Sequence, residues 1–176
     1  MRESVQHLSM IALLSAVFAT ANAQTGDLLL RSAHISYAVP SGWVVEDFPD
    51  HQGVFTYALV DGENVEASIG IELVERQSPS ESGEVLNDFV AETERERLDT
   101  ARTRIGRSIG QNQSGLAFGR VDYRKFRTGG DLLDSVYVIP LQPRRRLYIY
   151  TSLLEDTQAK YKKIIESFLN SISVAR

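Results

Sequence analysis

Residues 146–172 read RLYIYTSLLEDTQAKYKKIIESFLNSI, and this stretch decides the fold class. From Arg146 to Leu154 apolar residues occupy both parities, with Leu147 and Ile149 beside Tyr148 and Tyr150. A strand that is apolar on both faces is covered on both faces. From Asp156 the period changes. Tyr161, Ile164, Ile165, Phe168, Leu169 and Ile172 fall at i, i+3, i+4, i+7, i+8 and i+11, which is one broad stripe of an amphipathic helix. The acidic start at Glu155 and Asp156 suits the positive end of the helix dipole.

Working outward, Leu132 to Pro140 is a second strand with apolar residues on both parities, Leu133, Tyr137 and Ile139 beside Val136 and Val138. Gly129-Gly130-Asp131 closes a hairpin to a long strand over Leu116–Arg127, and Arg107–Gln111 precedes that strand across a turn at 112–115. Further upstream, Val65 to Val74 alternates apolar with polar residues, which predicts a half-buried strand. Asp61-Gly62 is a strong hairpin signal joining it to Val54–Val60. Trp43–Asp47 and Leu28–Val39, the latter with a break near Ser32-Ala33, complete the strands. Between them, Ser80 or Ser82 opens a helix reaching Arg104, with Val85, Leu86, Phe89, Val90, Leu98 and Ala101 as its apolar stripe. Strands joined by hairpins, then a helix, more strands and a helix specify an α+β domain. The expected architecture is a three-layer α/β/α sandwich around a central, mainly antiparallel sheet.

The N-terminus sets the compartment. Arg2 lies near the amino terminus, Met10–Ala19 is an apolar run, and Ala21-Asn22-Ala23 presents small residues before Gln24. That is the layout of a secretory signal peptide over 1–23, and the run is too short to span a bilayer. The expectation is a single domain over 24–176, exported to a periplasm and soluble after cleavage near Ala23. A domain of this size can bury roughly 70 % of its unfolded surface, and it must be stable by packing alone, because the chain has no cysteine. The same absence excludes thiol catalysis and thiolate metal sites. A net charge of −4 argues against nucleic acid as a partner.

One segment carries a resemblance. Tyr37-Ala38-Val39-Pro40-Ser41-Gly42-Trp43 forms a "Y-x-V-P-x-G-W" turn, and the chain ends in the strand 147–154 running into the helix with Tyr161 and Ile164-Ile165-Glu166-Ser167-Phe168. In these features, and in element order over nearly the whole mature chain, it resembles the PsbP-like family, whose fold is shared with a Ran-binding nuclear import factor. The resemblance implies an antiparallel sheet between helices, and the binding of other proteins without catalysis. The family includes extrinsic photosystem II subunits and small bacterial envelope proteins. Many bacterial members look like lipoproteins, and this chain departs from them in having no cysteine to acylate.

Few motifs point to chemistry. Gly106-Arg107-Ser108-Ile109-Gly110 matches the G-x-S-x-G nucleophile elbow, which requires a strained strand-to-helix turn. Here a helix is expected before it and a strand after it, and no histidine follows Ser108, so a serine hydrolase ranks last among the functions. His34 and His51 have no metal-ligand spacing, and Glu46, Asp47 and Asp50 near His51 read as a hydrated loop. No metal or cofactor is expected. Asn112-Gln113-Ser114 matches a glycosylation sequon.

The sharpest charge run is Arg144-Arg145-Arg146 after Pro143, with Arg120, Arg124, Lys125 and Arg127 on the strand pairing nearby and Lys160, Lys162 and Lys163 on the last helix. Placed on a hairpin tip, three adjacent guanidiniums would steer an acidic partner. The leading expectation is therefore a non-catalytic envelope domain that binds another envelope protein through Arg144, Arg145 and Arg146. A small-ligand or anion-binding domain with a pocket between sheet and helix is the alternative.

Overall fold

The computed structural model describes residues 25–48, 52–60, 62, 64–75, 91, 102–142 and 144–175. Among these, the dominant element is a seven-stranded sheet in the order β2-β3-β4-β8-β7-β6-β5. Its strands are β2 (Val44–Phe48), β3 (Gly53–Val60), β4 (Asn64–Glu75), β5 (Arg102–Gln111), β6 (Ala117–Lys125), β7 (Leu132–Gln142) and β8 (Arg145–Leu154). Every neighbouring pair is antiparallel. The class is α+β, as expected. The strand with apolar residues on both parities, β8, lies at the centre of the sheet, where β4 and β7 flank it and both of its faces are buried.

The C-terminal helix follows β8 directly. A 3-10 turn over Glu155–Thr157 leads into α2 (Gln158–Ser171), which buries Tyr161, Ile165 and Phe168. These side chains join Ile69, Ile71, Tyr137, Ile149 and Leu153 in the main core. A smaller cluster of Val121, Tyr123, Val136, Val138 and Tyr148 occupies the opposite face of the sheet. Burial on that side corrects the half-buried reading of β4. Ser68 and Gly70 are buried as well as the apolar parity, because Gly70 lies beneath the rings of Tyr150, Phe48 and Phe55.

A second correction concerns the N-terminal segment. Leu28–Val39 is not one strand. Residues Thr25–Ser32 form a helix, α1, and only Ile35–Ser36 (β1) is extended, paired with β9 (Ser173–Val174). Leucine favours helix as much as strand. Here Asp27 and Arg31 also pair at i,i+4 (2.7 Å). His34 ends the segment in the left-handed region (φ 59), donating its amide to Arg31. Leu30 of α1 is fully buried in the same core as α2, so both described helices lie on one face. The helix expected from Ser82 falls mostly outside the described residues. Its last turn is corrected, since Arg102–Arg104 belong to β5 and pair with β6.

The Tyr37–Trp43 turn acts as a clip on α2. Tyr37 meets Phe168 edge-on (centroids 6.0 Å apart) and Trp43 meets Tyr161 edge-on (5.9 Å). Gly42 takes the positive φ of the turn (79°), and Trp43 donates its amide to the Pro40 carbonyl. Burial pushes the Tyr37 phenol up, and the Asp27 carboxylate that it donates to adds to the effect. At the start of α2, Lys160 and Tyr161 both donate to Glu66 of β4, and these bonds hold the Glu66 carboxyl below its usual range. At the end of α2, Asn112 donates its side-chain amide to the carbonyls of Leu169 (3.0 Å) and Ile172 (2.8 Å). The sequon asparagine is thus buried and caps the C-terminal end of α2, sharing the Leu169 carbonyl with the Ile172 amide.

Trp43 is half-buried and packs against the main core. Trp43→Ala should cost on the order of 3 kcal/mol in urea unfolding, the usual range for loss of a packed aromatic. A change below about 1 kcal/mol would show that the clip does not hold the helix.

Candidate functional site

The three arginines after Pro143 do not form one exposed cluster. Arg144 is exposed in the turn. Arg145 is held by Glu75 of β4, with Nη2 2.7 Å and Nε 2.8 Å from Oε1. Arg146 is only 1 % exposed and interacts inside the protein. Strand parity is the reason. Arg146 stands opposite Val74 and Pro140, and it points to the same face as Tyr148. The expectation of three solvent-facing guanidiniums is therefore corrected. The other basic residues are also dispersed: Arg124 pairs with Glu155 (2.5 Å), Arg120 with Asp122 (2.7 Å) and Lys160 with Glu66 (2.6 Å).

Ser108 lies within β5, opposite Arg120 of β6. The strand-to-helix elbow is not formed. The two glycines have a sheet-packing role instead. A Cβ on Gly106 would stand 2.9 Å from the Asp122 carboxylate, and one on Gly110 2.7 Å from the Phe118 ring. Of the two histidines after residue 23, His34 ends α1, while His51 lies outside the described residues, as does Asp50. Glu46 accepts from Tyr57 (2.8 Å). Among the described residues, no three His, Asp or Glu side chains come together in a metal-binding group.

What the fold does assemble is a cleft between the β5–β7 end of the sheet and α2. Two cross-strand rows explain it. One runs Ser108, Arg120, Tyr137, Ile149, Ile71; the next runs Gly106, Asp122, Ser135, Thr151, Ile69. Toward the centre of the sheet the first row is apolar and the second ends in Thr151 and Ile69, and this part carries α2. Toward the β5 edge both become polar, and a cavity of about 280 Å³ opens. Ile105, the extra residue at a β5 bulge, lines it together with Leu133, Leu153 and Ile165. From α2, Gln158, Lys162 and Glu166 at i, i+4 and i+8 complete its wall.

The polar groups of the cleft are organised. Arg120 donates from Nε to Asp122 Oδ1 (2.7 Å), and Ser135 donates its hydroxyl to the same oxygen (2.5 Å). The Arg120 guanidinium lies over the Tyr137 ring, 5.3 Å from its centroid. Burial pushes the Tyr137 phenol up, and the Arg120 cation works against that shift. An arginine and an aspartate beside a helix, in rows that run into Tyr137, Ile149, Ile71 and Ile69, carry a desolvation cost. Such departures from core patterning concentrate at functional sites. Sequence reasoning gave Arg120 only as one member of a basic group and did not single out Asp122.

Beside the cleft lies the edge of the sheet. Among the described residues, β5 has β6 on one side and no strand on the other. Its pairing is regular from Gly106 to Gln111, Ile105 and Ile109 are 51 % and 47 % exposed, and the strand carries Arg102, Arg104 and Arg107 with no acidic residue. No described helix is long and apolar enough to cross a membrane.

No known family model matches the sequence, and no curated protein is significantly similar to it. Solved structures are similar in fold. LpqN of Mycobacterium tuberculosis, a protein involved in cell envelope biogenesis, superposes with a TM-score of 0.58 at 12 % identity, over 81 % of this chain and 83 % of LpqN. CyanoP, the cyanobacterial PsbP of Synechocystis, gives 0.56 at 14 % identity, over 82 % of this chain and 88 % of CyanoP. A Pseudomonas aeruginosa protein of unknown function, PA94, gives 0.52 at 19 % identity, over 81 % and 98 % of the two chains. The chain therefore has a PsbP-like fold.

The different environments of the arginines predict different mutational costs. Arg144→Gln should change stability by no more than about 0.5 kcal/mol. Arg146→Gln should cost on the order of 2 kcal/mol or more, because it removes packed methylenes and the interactions of a side chain that is 1 % exposed. Equal effects in urea unfolding would contradict the burial of Arg146.

Proposed function

We propose that this chain is an exported, non-catalytic envelope domain that binds a protein partner, and that the partner docks as an added strand on β5. The β5 edge, which has no second partner strand among the described residues, carries this reading. Natural sheets usually protect their edges by shortening, bulging or covering them. Here a regular stretch from Gly106 to Gln111 keeps exposed Ile109 within it. Main-chain pairing at such an edge supplies affinity, and alternate side chains supply specificity. The mid-strand position of Ser108 supports a role without covalent chemistry. Export rests on the leader-like residues 1–23. It is supported by α1, which begins at Thr25 and places Leu30 in the core, so cleavage before Gln24 would leave the fold whole. A second reading, a small-ligand-binding domain, is favoured by the cleft under α2.

Protein recovered from an osmotic-shock fraction should begin at Gln24; an intact Met1 in the cytosol would overturn export. A photoreactive residue at Ile109 should cross-link a single envelope protein in living cells. The same residue at Leu28, 61 % exposed on α1, should not. Identical products from both positions, or none from Ile109, would refute the edge as the docking surface.

A further inference from the structure

We infer that the cleft between β6 and α2 binds a small zwitterion of the amino-acid type with an apolar side chain. This rests on the second of the two readings above and is independent of the β5 edge.

The Arg120 guanidinium is fixed before any ligand arrives. Its Nε is bound by Asp122, its face lies over Tyr137, and its Nη2 reaches Ser135 Oγ only at 3.5 Å, the outer limit of a hydrogen bond. A guanidinium held from its Nε side presents its terminal nitrogens as a fork for a carboxylate. Lys162 adds a second cation on the cleft wall from α2, and Glu166, one helical turn further on, offers an acceptor for an ammonium group. The charges balance: Asp122 offsets Arg120, Glu166 offsets Lys162, and Asp134, also on the lining, is paired with Arg102 (3.2 Å). A balanced site suits a ligand carrying both signs better than a phosphate or a dicarboxylate. The apolar wall of Ile105, Leu133, Leu153 and Ile165 is suited to an aliphatic side chain. The volume of about 280 Å³ lies at the lower end for ligand cavities, which restricts the occupant to a single small molecule.

Calorimetric titration of the mature protein tests this with L-leucine, with 4-methylpentanoate, which lacks the ammonium, and with 3-methylbutylamine, which lacks the carboxylate. L-leucine should bind, and either truncated analogue should bind at least about tenfold more weakly, the loss of one charge-assisted contact. Lys162→Gln and Glu166→Gln are at exposed helix positions. Each should weaken L-leucine about tenfold while leaving the melting temperature of the free protein unchanged, and Arg120→Gln should abolish binding. If 4-methylpentanoate binds as tightly as L-leucine, the ligand is an anion; the zwitterion is then refuted and the cleft stands as a ligand site. If none of the three binds at millimolar concentration to protein that melts cooperatively, this inference and the ligand-binding reading both fall.

Discussion

The docking of α2 on the sheet is the interaction on which the rest of this structure depends. A 14-residue helix is marginal in water by itself. Its stability comes from burying Tyr161, Ile165 and Phe168 on the apolar rows of β4, β8 and β7. Three separate contacts hold it in position: the Tyr37–Trp43 clip, the Glu66 bonds to Lys160 and Tyr161, and the Asn112 cap on its last carbonyls. These reach α2 from the N-terminal segment, from β4 and from the β5–β6 turn. The helix therefore joins parts of the chain far apart in sequence, as does the β1–β9 pairing.

The placement of α2 also creates the surfaces with functional potential. Among the described residues α1 and α2 share one face of the seven-stranded sheet, and α2 lies over the apolar centre. The β5–β6 end is left beyond it, where the rows become polar and a cleft opens. The outermost strand beyond the cleft keeps a free edge among the described residues. Cleft and edge share Ile105, so a ligand in one lies close to a partner on the other.

Much of the sheet was legible because strand periodicity is local. The doubly apolar β8, the alternation in β4 and the turns at Gly42 and Gly62 needed only neighbouring residues to be read. The stripe of α2 was equally plain. The misreadings came from two sources. Leu28-Leu29-Leu30 is an apolar run that fits strand or helix, and the choice was made by Asp27–Arg31 pairing and by a core contact through Leu30. Arg146 was grouped with its neighbours as a charge run, although its parity matched Tyr148 and Tyr150 in a strand already read as covered on both faces. The cleft was hidden for a deeper reason. In β6, Arg120, Asp122 and Arg124 alternate with Val121 and Tyr123, a pattern that reads as a solvent face. Only the long-range packing of α2 turns that face inward.

Native-state hydrogen exchange on α2 tests the central claim most directly. If the helix is an integral part of the core, the amides of Ile165, Phe168 and Leu169 open only by global unfolding, with the same free energy as Ile149 and Thr151 on β8. Helix amides that exchange at a free energy well below that of β8 would mean that α2 detaches on its own, and the account of the cleft beneath it would fail.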